Sequence, residues 1–130
     1  MTLKEIEQTL PNGFHDSEIS NLQIDFIQRN VKLEMSIWIG EMVKIDADRE
    51  KYRKAELEIN DFLFFVIDPP DEQYDYAKHK PLWIDMGNPK EKPNLPTNIP
   101  QEAFVESFFV NQWNSFIHLA ALNAKFTWIQ

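Results

Sequence analysis

The clearest pattern in the chain is a two-residue alternation. Leu22, Ile24 and Phe26 alternate with Asn21, Gln23 and Asp25, the period of a strand buried on one face. After the polar break Arg29-Asn30, the residues Val31, Leu33, Met35, Ile37 and Ile39 alternate with Lys32, Glu34 and Ser36. Two such runs joined by a polar break predict an antiparallel hairpin. The alternation returns with Ala55, Leu57 and Ile59 against Glu56, Glu58 and Asn60, then passes into the continuous apolar run 62–67. A continuous run suits a strand covered on both faces, and a bulge near Asn60-Asp61 would reconcile the two halves.

Other stretches follow different rules. Leu3, Ile6 and Leu10 have helical spacing, with Thr2 as N-cap and Glu5 three residues on, so a short helix is expected over 2–10. Pro11-Asn12-Gly13 ends it. The mixed charges of 41–54 read as a solvated loop or short helix. Residues 69–100 hold seven of the eight prolines, which leaves room only for a short strand at Leu82-Trp83-Ile84. A segment of that length in a compact domain is a place to look for a binding surface. The last thirty residues hold seven aromatics and three charges, which marks them as core or interface. Strands are expected over 115–121 and 124–129. The stretch 101–112 stays open, because Phe104, Val105, Phe108 and Phe109 also fit one helical face.

The expected fold is therefore mainly β: one domain over 1–130, an antiparallel β-sandwich or partly open barrel of six to seven strands with a short N-terminal helix. The alternative is an α+β domain with a helix within 101–123.

Composition narrows the function classes. At 130 residues the chain suits one domain, and 21 acidic against 13 basic side chains leave a net charge of −8. That opposes binding of nucleic acid or an anionic membrane over a general basic surface. There is no cysteine, so disulfides, thiolate catalysis and thiolate metal sites are excluded. Three glycines, at 13, 40 and 87, form neither a phosphate-cradling loop nor a dinucleotide fingerprint, and no cofactor is expected. The longest apolar run is six residues, against about 20 for a membrane-spanning helix. Glu5 and Glu7 interrupt any leader-like stretch, so the cytoplasm is the expected compartment.

The most suggestive chemistry is His15-Asp16-Ser17-Glu18, ahead of the first strand. A histidine beside carboxylates can act as a general base or ligate a metal. In extended chain, however, His15 and Asp16 diverge and His15 and Ser17 converge, so a loop-fixing role for Asp16 or Ser17 competes. His118, within an apolar stretch and opposite in parity to Ile117 and Leu119, reads as a satisfied core or edge residue. His79, between two lysines, reads as exposed. Asp46, Asp48 and the group Asp68, Asp71 and Glu72 lack the calcium-loop spacing and read as acidic surface loops. Tyr74, Tyr76 and Trp83 form an aromatic patch in the proline-rich segment, of the kind enriched at binding hot spots. The candidate binding residues are thus His15, Asp16, Glu18, Tyr74, Tyr76 and Trp83, with no catalytic or metal residue assigned.

The stretch Leu10-Pro11-Asn12-Gly13-Phe14-His15-Asp16-Ser17-Glu18-Ile19 ahead of a hairpin resembles the opening of a type of small bacterial β-rich protein. These carry a His-Asp-x-x-Ile or His-Asp-x-x-Val signature after a short helix. The closing Trp113-Asn114-Ser115-Phe116-Ile117-His118 and Ala-Lys-Phe-Thr-Trp at 124–128 are similar to how some of these chains end. Some relatives resemble immunity proteins that neutralise toxins. The resemblance implies a bacterial, mainly β, non-enzymatic protein and brings no catalytic residues. Three functions follow as expectations: a protein-binding module, with an immunity-like inhibitor as its sharpest form; a small-molecule-binding β domain; and an enzyme using His15 with Asp16 or Glu18.

Overall fold

The computed structural model describes residues 1–41, 51–87, 89 and 94–129. The chain order is α1 (Leu3–Thr9), β1 (Ser17–Asp25), β2 (Asn30–Trp38), β3 (Tyr52–Ile67), β4 (Leu82–Met86), β5 (Phe104–Val110) and β6 (Ser115–Trp128). All six strands pair antiparallel in the order β1-β2-β3-β6-β5-β4 and close into a barrel.

The fold is mainly β as expected, but it is a closed barrel, which fits the expected partly open barrel only loosely and is not a sandwich. The reason lies at the start of β1. That strand begins at Ser17, five residues before the visible alternation, and Ser17, Glu18 and Ile19 pair with Ile84, Trp83 and Leu82 of β4. From Asn21 onward β1 continues along β2 alone. A shift between Ile19 and Asn21 lets one strand serve both neighbours.

Strand parity fills the barrel. Val31, Leu33, Met35 and Ile37 of β2 meet Leu57 and Ile59 of β3, Ile84 of β4, Phe108 and Val110 of β5, and Ile117 and Leu119 of β6, all buried. A barrel of six strands is narrow enough for such side chains to occupy its interior. Helix α1 closes one end with Leu3 and Ile6, followed by Leu10 and Phe14. The helix starts where expected: the Thr2 hydroxyl accepts from the Glu5 N–H and the Glu5 carboxylate accepts from the Thr2 N–H, both at 3.1 Å.

Other expectations need correction. Residues 104–110 form a strand and no helix lies within 101–123. Phe108 and Val110 point into the core, while Phe109 lies outside against Phe116 at 5.3 Å between ring centres. Apolar side chains on both faces of one strand imitate a helical stripe. The two expected C-terminal strands are one, β6. Strand β3 begins at Tyr52, so residues 52–54 belong to the ladder with β2 rather than to a charged loop. Residues 42–50, with Asp46 and Asp48, lie outside the described residues. The irregularity of β3 falls between Phe62 and Phe64, just past the expected Asn60-Asp61, where Asp61 takes a left-handed φ of 55°. Among the described residues, no helix is long and apolar enough to cross a membrane.

Candidate functional site

The Leu10 to Ile19 motif assembles one end of the barrel. Gly13 has a φ of +57°, and a Cβ there would lie 2.8 Å from Glu7 Cγ, so a glycine is required for Glu7 to pack on this turn. The Glu7 carboxylate accepts from the Phe14 N–H. Asn12 donates its side-chain amide to the Gly40 carbonyl at 2.7 Å and to the Trp38 carbonyl at 3.3 Å, tying the turn to the end of β2. Phe14 is buried edge-on to Phe108, with centroids 5.8 Å apart.

His15 stands at the centre of this end. Its Nδ1 hydrogen-bonds to Oδ1 of Asp85 on β4, and its Nε2 lies 3.3 Å from Asp16 Oδ2. The Asp16 N–H also donates to Asp85 at 3.3 Å. Asp16 adopts a φ of 53°, which brings its carboxylate back to the imidazole beside it. That geometry overcomes the divergence expected of neighbours in extended chain. His15 also packs edge-on to Trp38, with centroids 5.8 Å apart. One imidazole and two carboxylates with ligand atoms within 4.8 Å of one another make a metal-capable donor set. Both imidazole nitrogens face carboxylates and half of the side chain is exposed, which is equally the geometry of a surface clamp.

Next to His15 the surface is concave and acidic. A depression of about 410 Å³ is lined by Glu7, Asn12, His15 and Asp85, and an adjoining one of about 250 Å³ by Lys4, Glu7 and Glu106. Met86 lines both. Burial pushes the Glu106 carboxyl above the ordinary carboxylate range, the nearby Glu7 adds to the shift, and Lys4 opposes it. Burial likewise raises Glu7, against the pull of Lys4 and the Phe14 N–H. Among the described residues, Lys4 is the only lysine or arginine lining the two depressions.

The remaining candidates divide into two groups. Glu18 and Trp83 are direct cross-strand partners on the outer wall, beside the acidic end. Burial raises the Glu18 carboxyl, and Trp83 meets Tyr52 edge-on at 5.9 Å. Tyr74 and Tyr76 contact each other at 4.8 Å in the loop after β3, where Tyr76 is largely exposed.

Sequence reasoning missed Asp85, Glu7 and Glu106. Asp68 and Asp71, read as parts of an acidic surface loop, both have partners. Asp68 bonds to His118, and Asp71 accepts from the Gln73 N–H at 2.6 Å and the Asn114 amide at 3.2 Å, which hold its carboxyl below the usual range. His118 is the satisfied histidine expected, and His79 is exposed. Comparison with family models, curated proteins and solved structures finds no match for the chain.

Proposed function

We propose that this chain is a protein-binding module, in its sharpest form an immunity-like inhibitor that covers a basic site on a toxin. The observation that carries the reading is the acidic concavity between α1 and β4–β5. Glu7, Asp85 and Glu106 line it, Asp16 borders it, and Lys4 is its one lysine or arginine among the described residues.

Two of these carboxyls stand above their usual range because water is partly excluded from them. A lysine or arginine entering from a partner would relieve that cost and pair with carboxylates already held in place. The net charge of −8 would also steer the domain towards a positively charged protein. Trp83 and Glu18 extend the contact surface along the outer wall, offering an aromatic anchor beside the charged groove. The barrel interior is occupied by its own side chains, which favours a surface role over enclosure of a ligand there.

The test is native mass spectrometry of the tagged chain purified gently from its own host. A stoichiometric basic protein is expected with the wild-type chain and is expected to be lost with Glu7→Lys/Asp85→Lys. A wild-type chain carrying no protein, or a partner retained by the charge-reversed variant, contradicts the proposal.

A further inference from the structure

The outer wall of the barrel carries a second polar group next to the acidic groove, and Gly87 and Glu106 line both that groove and the cavity beside the group. Ser107 on β5 lies directly across the ladder from His118 on β6. His118 is fully buried, with Nε2 2.8 Å from Asp68 Oδ2 and Nδ1 2.8 Å from Ser107 Oγ. A carboxylate can only accept, so Nε2 carries the ring hydrogen, and in the neutral imidazole Nδ1 then presents its lone pair to the serine hydroxyl. The three groups therefore form a directed relay from hydroxyl to imidazole to carboxylate. Phe116 stacks on the imidazole at 5.7 Å and 25°, which fixes the plane of the ring. The Asp68 N–H donates to the Phe116 carbonyl at 3.0 Å, which anchors the carboxylate's own residue.

A cavity of about 410 Å³ opens beside this relay, with Ser107 and His118 in its lining. Phe64 and Val105 of the barrel wall, and Leu95 and Pro96 of the proline-rich segment, supply apolar walls. Ser107 and His118 thus border a space of the size that takes a small molecule.

We propose that Ser107 is a base-activated nucleophile towards the acyl group of small apolar carboxylic esters, with His118 as its general base and Asp68 as a positioning residue. Such a constellation is defined by geometry and roles, and here Nδ1 rather than Nε2 faces the nucleophile. In the first step Ser107 Oγ bonds to the acyl carbon as its proton passes to His118 Nδ1. Collapse of the adduct breaks the ester C–O bond, and the departing alkoxide takes that proton. Water then repeats the sequence on the acyl-serine, giving its proton to Nδ1, releasing the carboxylic acid and restoring the hydroxyl.

The experiment exposes the folded full chain to p-nitrophenyl acetate and, separately, to a fluorophosphonate probe. Adducts are located by intact and peptide mass spectrometry, and folding of each variant is checked by circular dichroism. The expected result is one adduct on the peptide containing Ser107, absent in Ser107→Ala. Labelling in Asp68→Asn is expected to slow by about 10²-fold or more with a displaced pH profile, while Asp71→Asn labels like the wild type. A folded wild-type chain that takes no adduct overturns the proposal, as does an adduct that persists in Ser107→Ala. So does an Asp68→Asn variant that labels at the wild-type rate.

Discussion

The imidazole of His15 is hydrogen-bonded to the carboxylate of Asp85, joining the turn before β1 to a strand seventy residues later. The pair stands at the seam where β1 meets β4, beside the pairing that closes the barrel. Half of the His15 side chain and about a quarter of Asp85 are exposed, so solvent screens their attraction. Asp85→Ala is therefore expected to change the stability of the isolated chain by about 1 kcal/mol or less, measured by urea denaturation. The same variant is expected to weaken the complex with the partner clearly, because it removes a charge from the docking groove.

Gly13 is expected to be far less tolerant. Its positive φ disfavours any side chain, and an added methyl would press on Glu7 Cγ at 2.8 Å. Gly13→Ala should destabilise the chain by at least ~1 kcal/mol, seen as a lower denaturation midpoint with an unchanged denaturant slope.

The carboxyl of Glu106 predicts a direction for pH dependence. Its value is raised in the folded chain by burial and by Glu7, so folding favours the protonated form. Relative to an unperturbed carboxyl, that contribution is fully present below the unfolded value of about 4.3 and is lost as pH rises through the folded value. Glu106→Gln should therefore raise the melting temperature at pH 7 and lose that advantage as the pH falls towards 4. Thermal melts of both chains across that range check it, and an advantage that grows in acid would contradict it.

Ser17 offers the opposite kind of test. It is fully buried at the closing seam, and its hydroxyl has no hydrogen-bond partner among the described residues. An unmet buried hydroxyl costs about 1–3 kcal/mol, so Ser17→Ala should stabilise the chain by about 1 kcal/mol. Chemical denaturation of the two proteins measures this directly.

Local features were legible in the sequence because their causes are local. The β1–β2 hairpin follows from period-two burial, and the start of α1 follows from Thr2 and Glu5. Barrel closure was not legible, because it depends on Ser17, Glu18 and Ile19 finding β4 across some sixty-five residues of chain. The strand identity of 104–110 was hidden because its two apolar faces, one inward and one against Phe116, imitate a helical stripe. Once that stretch is a strand, the pairing of Val110 with Ser115 places Ser107 opposite His118 by counting alone. The site residues divide along the same line. His15 and Asp16 stood out as neighbours in sequence, whereas Asp85, Glu7 and Glu106 join them only through the fold.

The measurement that bears most directly on the central claim is the association rate of the chain with its co-purified partner, for the wild type and for Glu7→Lys/Asp85→Lys. Stopped-flow mixing at low and at physiological salt would supply it. If the acidic groove steers and receives a basic partner, charge reversal should slow association at least about 10-fold at low salt and flatten its salt dependence. An association rate that is unchanged by the reversal at low salt would contradict the account.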